Sequence, residues 1–164
     1  MKRVLAVLAA LAVAGCSSVH SAARQAEDNK AMATKFVERV NKGDMSIIDE
    51  IFDPAYVDHE AMPGVPPTRE GLNQGFAMIL KGFPDFKITV SHLIAEGDYV
   101  LVHHLSTGTH KGEFMGMPAT GKPVKYDEMH LVRFANGKVV EHWGVEDVMS
   151  MMQQLGAMPE PGKK

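Results

Sequence analysis

The sequence predicts an α+β fold: three N-terminal helices packed on a curved antiparallel sheet, with a pocket enclosed between the two layers. Three observations point to it. Before Pro84, apolar residues recur at helical spacing, as in Met32, Phe36, Val37 and Val40. After Pro84 the period drops to two: Phe86, Ile88 and Val90 alternate with Lys87, Thr89 and Ser91, the signature of a half-buried strand. Further on, Asn136-Gly137 sits between two runs rich in β-branched and aromatic residues, a strong hairpin signal. Helices first and strands after is the segregated order of an α+β domain.

The elements follow in order. Residues 1–15 read as a signal peptide, with Lys2 and Arg3 ahead of an apolar run from Val4 to Ala14 that is too short to span a bilayer. The run Val13-Ala14-Gly15-Cys16 resembles a bacterial lipobox, and Cys16 is the only cysteine. Its lipidation would tether the protein in the cell envelope, facing the periplasm or exterior. Ser17 after the cysteine resembles an outer-membrane destination in a Gram-negative cell. Residues 16–26 read as a tether, 27–157 as the folded domain and 158–164 as a flexible tail.

Within the domain, the first helix ends at Asn41-Lys42-Gly43. Asp44 is expected to cap a second, short helix carrying Met45, Ile47, Ile48, Ile51 and Phe52, which Pro54 stops. Tyr56 to Glu60 is a short extended piece and Pro63 to Pro67 a loop. Thr68 caps a third helix with Leu72, Phe76, Ile79, Leu80 and Phe83 inward. Strands follow from Phe86 and from Tyr99 to Thr109, then a Gly/Met/Pro-rich loop to Gly121, then the hairpin. Asp147 caps a closing helix that ends near Leu155.

Composition narrows the function. The net charge is −3, or about −5 without Lys2 and Arg3, and no basic stripe is present, so nucleic acid is not an expected partner. Without Cys16 the chain has no thiol and no disulfide, so burial must stabilise it. The only membrane contact implied is the lipid anchor.

Alternation on the hairpin decides which side chains act together. A three-residue loop, Ala135 to Gly137, would pair Phe134 with Lys138, set His130 opposite His142 and set Glu128 opposite Gly144. One face then carries Tyr126, Glu128, His130, Val132, Val140, His142 and Gly144, a mixture suited to a ligand pocket. The other carries Met129, Leu131, Val139, Trp143 and Val145. It is apolar enough to predict a homodimer interface through Met129, Leu131 and Trp143. Val102 and His104 on the preceding strand share the pocket face, and His59 is placed there from the short strand.

Several motifs resemble one family in the same order. They are Tyr-Val-Asp-His at 56–59, Thr-Arg-Glu-Gly-Leu at 68–72, Phe-Pro-Asp-Phe at 83–86, Gly-Thr-His-Lys-Gly-Glu-Phe-Met-Gly-Met-Pro-Ala-Thr-Gly at 108–121 and Gly-Lys-Val-Val-Glu-His-Trp-Gly-Val-Glu-Asp at 137–147. Together they resemble the SnoaL-like polyketide cyclases, or ester cyclases, of the NTF2-like superfamily, from about Glu27 to Leu155. The resemblance implies a cone of three helices on a bent sheet, usually oligomeric, and ring closure by an intramolecular aldol step without a cofactor. It places the family's pocket histidine on His130 and its catalytic aspartate on Gly144.

Two functions follow. In the first, an enzyme acts on a small apolar carbonyl compound by acid/base chemistry, with His130 and His142 as base and positioning group and Glu128 as acid or orienter. A carboxyl in an apolar pocket would hold its proton more tightly, which suits an acid. Tyr126, His104, Val102, His59 and Gly144 would line the ligand pocket. In the second, the same pocket passively holds an apolar metabolite in an envelope lipoprotein. His104, His130, His142 and Glu128 are zinc-ligand types, but they are dispersed over three strands without metalloprotease-like spacing, so no metal and no cofactor are expected. Trp143 reads as interface or core, and the methionines at 115, 117, 129, 149, 151 and 152 as adaptable packing.

Overall fold

The computed structural model describes residues 2–159, with side chains from residue 21 onward. Its elements are α1 (Lys2–Val40), α2 (Ser46–Ile51), β1 (Phe52–Asp58), α3 (Arg69–Gly82), β2 (Lys87–Glu96), β3 (Tyr99–Thr109), β4 (Pro123–Ala135), β5 (Lys138–Glu146) and α4 (Val148–Leu155). The α+β class holds, with α1 to α3 ahead of β2 to β5 and β1 inserted between α2 and α3. Three details differ. Helix α1 continues through the expected tether, because Ser-Ala-Ala-Arg-Gln-Ala-Glu has no helix breaker and six strong formers. Helix α2 starts one residue late, with Met45 at the cap position. Asp44 still serves it, since Asp44 Oδ1 accepts from the Ser46 N–H at 3.2 Å and the Ser46 hydroxyl at 2.7 Å. Pro54 lies inside β1 and does not end α2, which stops at Ile51. The side chain of Cys16 and most of the expected tail lie outside the described residues. Among those described, no helix is long and apolar enough to cross a membrane.

The sheet runs β1-β5-β4-β3-β2 and is mixed, where an all-antiparallel sheet was expected. The short extended piece becomes a fifth strand, running parallel to β5 and pairing Asp58 with His142. Its alternation buries Tyr56 and Asp58 and leaves Val57 exposed. An edge position suits Pro54, which has no N–H to give a ladder.

The hairpin turn is also different. Asn136 (φ 51°) and Gly137 (φ 71°) form a two-residue turn with both centres left-handed, and Ala135 pairs with Lys138. Left alone, that register would turn His130 and His142 to opposite faces. A bulge at Val140 prevents it: Phe134 pairs with Val139, but Arg133 pairs with Glu141. Beyond the bulge His130 pairs with Gly144 and Val132 with His142. The expected pocket face therefore survives, with pairings shifted by two residues. Before the bulge it is Val139, not Val140, that turns inward, and Val139 is buried.

The main core joins α1, α2 and the sheet through Val40, Ile47, Ile48, Phe52, Val100, Phe134 and Val139. A second cluster of Phe83, Phe114, Val124, Met151 and Leu155 closes the other end. Helix α3 begins at its expected cap, where Thr68 Oγ1 accepts from the Gly71 N–H at 3.3 Å. Helix α4 is capped by Asp147, whose Oδ1 accepts from the Ser150 N–H at 2.9 Å. Gln154 pins α4 to β4, donating to Lys125 O and accepting from Lys125 N–H, both at 2.8 Å.

Candidate active site

A cavity of about 670 Å³ lies between the concave sheet face and the helices. Its wall is largely apolar, with Phe36, Phe76, Ile79 and Phe86 from the helical side and Val102, Val132 and Phe134 from the sheet. Met62, Met115 and Met151 also face it, so part of the methionine set lines the cavity. Among the described residues, its titratable groups are Tyr56, Asp58, Glu60, His104, Tyr126, Glu128, His130, His142 and Glu146, and no lysine or arginine lines it.

Four of these groups form one hydrogen-bonded chain across three strands. Asp58 Oδ1 stands 2.8 Å from His142 Nδ1, and His142 Nε2 stands 2.8 Å from His130 Nδ1. His130 Nε2 stands 2.9 Å from Glu128 Oε2. The two imidazoles are stacked, with centroids 5.0 Å apart and planes at 26°. His104 is stacked on the far side of His130 at 5.0 Å, with Nε2 3.6 Å from Glu128 Oε2 and Nδ1 3.4 Å from Ser106 Oγ.

The local sequence explains the chain. The pairing of β1 with β5 brings Asp58 to His142, the bulge at Val140 keeps both histidines inward, and Gly144 makes the room. A Cβ at Gly144 would stand 3.0 Å from His130 Nδ1 and 3.3 Å from both His130 Cε1 and His142 Cε1. Any side chain there would wedge between the rings.

The two carboxylates at the ends of the chain are tuned by the rings they meet. Burial pushes the Asp58 carboxyl up, but the hydrogen bond and charge of His142 and the Glu60 N–H more than offset it, so Asp58 lies below the ordinary carboxylate value. Glu128 behaves likewise: burial raises it, while the His130 bond and charge, then His104 and Ser106, bring it below its ordinary value. Both ends of the chain are therefore ionised carboxylates. The expectation of a proton-holding Glu128 is corrected: the favourable partners outweigh burial.

Elsewhere in the pocket, burial drives His104 down to about 4, against the opposing pull of Glu128. Burial raises the Tyr126 hydroxyl, with the Glu128 charge adding to it, so the phenol stays protonated beside that carboxylate. Tyr56 is raised in the same way, by burial and then by Asp58.

The expected site residues Glu128, His130, His142, His104, Tyr126, Val102 and Gly144 all line the cavity. His59 does not. It stacks flat on Trp143 on the outer face (4.6 Å, 7°) and lies 3.5 Å from Glu141, so Trp143 is a stacking platform for it after all. Strand alternation turns His59 out and Asp58 in. Sequence reading chose His59 from Tyr-Val-Asp-His and missed Asp58, although counting inward from Tyr56 would have found it. Glu146, on the same face of β5 as Gly144, was also missed.

A metal is the other use for such ligands. His104, Glu128 and His130 bring one ligand atom each within 4.8 Å of one another. Yet the rings of His104 and His130 are stacked face to face with planes 12° apart. An ion in the plane of one ring would stand well out of the plane of the other, which does not fit a bound ion as the side chains stand.

Known proteins share this architecture. The family model described as SnoaL-like polyketide cyclase matches residues 30–155. The aklanonic acid methyl ester cyclase of Streptomyces peucetius is 26% identical over 130 residues, covering 76% of this chain and 88% of that protein. The structure of AclR from Streptomyces galilaeus, provisionally assigned as a hydroxylase, superposes with a TM-score of 0.74 at 31% identity, covering 84% of this chain and 87% of that one. IdmH from Streptomyces antibioticus, provisionally assigned as a polyketide cyclase, gives 0.69 at 33% identity, covering 77% and 96%. On the match over residues 30–155 and a shared NTF2-like cone, the chain belongs to the SnoaL-like polyketide cyclase family.

Proposed function

We propose that the protein closes or isomerises an uncharged, largely apolar carbonyl compound by acid/base chemistry that needs no cofactor. The observation that carries this reading is the Asp58–His142–His130–Glu128 chain, set in an otherwise apolar cavity. Proton abstraction next to a carbonyl requires fixed groups that take and return a proton while an oxyanion develops. The chain offers two imidazoles held between two carboxylates that lie below their ordinary range. A cavity without lysine or arginine among its described lining residues offers no counter-charge to a free acid or phosphate, which supports a neutral substrate such as an ester. The named relative acts on a methyl ester, which points the same way.

The test is turnover of aklanonic acid methyl ester and simpler neutral β-dicarbonyl esters. Wild-type protein should convert at least one of them, and His130→Ala and Asp58→Asn should each slow conversion about 100-fold or more, the usual share of a positioned acid/base group. A second reading has its own support: every ring nitrogen of His130 and His142 is already satisfied within the protein, as a passive pocket would have it. Tight binding of these esters without turnover would favour that binding module.

We also infer that Cys16 carries a lipid anchor in the cell envelope and that two copies associate through the outer sheet face. The apolar run ending at the single cysteine supports the first. Release of the protein from membranes by salt washing alone would contradict it. Exposed Met129 and Val145 beside Trp143 support the second, and a monomer at micromolar concentration in sedimentation would contradict it.

A further inference from the structure

We propose that Glu146 is the group that exchanges protons with the substrate carbon and oxygen. The proposal rests on the acid/base reading of this pocket and names its missing participant. His130 and His142 each have both ring nitrogens engaged in the chain. Glu128 accepts from His130 and has His104 and Ser106 beside it. Neither imidazole can take a proton from a ligand without first breaking a protein contact, and Glu128 is buried and held ionised by its neighbours. Glu146 is differently placed. It lines the same cavity, stands directly across the β4–β5 ladder from Glu128, and is exposed to solvent at the open side. Among the described residues, no side chain hydrogen-bonds its carboxylate.

The surroundings strengthen Glu146 as a base. Facing Glu146 are Glu128 and His130 from β4, and Asp58 and Glu60 from β1 and the turn after it. Partial burial against the cavity wall, then the negative charges of Glu128, Asp58 and Glu60, raise Glu146 above the ordinary carboxylate value, with His130 opposing. The chain thus serves two purposes. Its imidazoles keep Glu128 ionised, and the ionised Glu128 makes its neighbour across the ladder a better base.

The step balances without a co-reactant. The Glu146 carboxylate takes hydrogen from the carbon beside the carbonyl, and the C–H electron pair enters the enolate. The enolate carbon attacks a second carbonyl of the same molecule, so a C–C bond forms and that carbonyl's π pair moves to its oxygen. Glu146, now a carboxylic acid, returns the proton to the new alkoxide. Product and substrate are isomers.

Two measurements test this. In protein labelled with ¹³C at glutamate side chains, the Glu146 signal is identified by its loss in Glu146→Gln. It should titrate above the ordinary glutamate value of about 4.3, and Glu128→Gln should lower that midpoint. A midpoint at the ordinary value overturns the proposal. The second measurement follows deuterium uptake from D₂O into the α-carbon of 1-tetralone, a neutral aryl ketone. Wild-type protein should catalyse uptake, and Glu146→Gln should slow it at least 100-fold with the tetralone dissociation constant unchanged. Uptake by Glu146→Gln at the wild-type rate overturns the role of Glu146 and leaves the acid/base reading standing. No uptake by wild-type protein overturns both.

Discussion

Replacing Gly144 by alanine should separate the two central imidazoles. Gly144 is not among the left-handed residues, so its backbone accepts alanine, and Gly→Ala alone would add about 0.5–1 kcal/mol through the unfolded state. Against this, the new Cβ would meet His130 Nδ1 at 3.0 Å, and neither ring is free to retreat. His130 is tied to Glu128 at 2.9 Å and His142 to Asp58 at 2.8 Å. The contact that must open is the one between the rings, and leaving a part-buried ring nitrogen without its partner costs about 1–3 kcal/mol. The net expectation is a loss of about 1–2 kcal/mol in urea unfolding. In a His130→Ala background the wedge has nothing to strike, and Gly144→Ala should become neutral or stabilising. The coupling between the two sites should reach about 1.5 kcal/mol or more. The reasoning fails if Gly144→Ala stabilises both backgrounds equally.

Two further predictions concern stability. His104 titrates at about 4 when folded and near 6.5 when unfolded, so above pH 6.5 neither state is charged and the group has no effect. As pH falls from 6.5 to 4 the unfolded chain binds the proton first, and stability should drop by about 3 kcal/mol across that window from this residue. In His104→Gln, urea midpoints measured between pH 7 and 4 should fall less steeply than in wild-type protein. Thr68→Ala removes the Oγ1 bond to Gly71 N–H and should cost about 1 kcal/mol by the same assay, with little effect on ligand binding.

Most of the scaffold was legible because local rules decide it. Thr68 and Asp147 cap their helices as their side chains dictate, and the change of period at Pro84 marks where helices give way to strands. The pocket face of the hairpin was legible too, but only because two departures cancelled: the turn has two residues, and the bulge at Val140 restores the alternation. A bulge leaves no mark on apolar periodicity over so few residues. Asp58 and Glu146 were missed for a different reason. Alternation from Tyr56 turns Asp58 inward, but its partner His142 lies on a strand more than 80 residues away, and the parallel pairing that joins them carries no local signal. The direction of the Glu128 shift was misjudged because burial, which sequence can suggest, is outweighed by two histidines whose positions it cannot.

The central claim is that this pocket moves protons on a neutral carbonyl compound. Deuterium uptake at the α-carbon of 1-tetralone in D₂O, followed by mass spectrometry, tests it without knowledge of the natural substrate. The account predicts catalysed uptake by wild-type protein that falls about 100-fold or more in His130→Ala. Saturable binding of the ketone with uptake no faster than in buffer would contradict it.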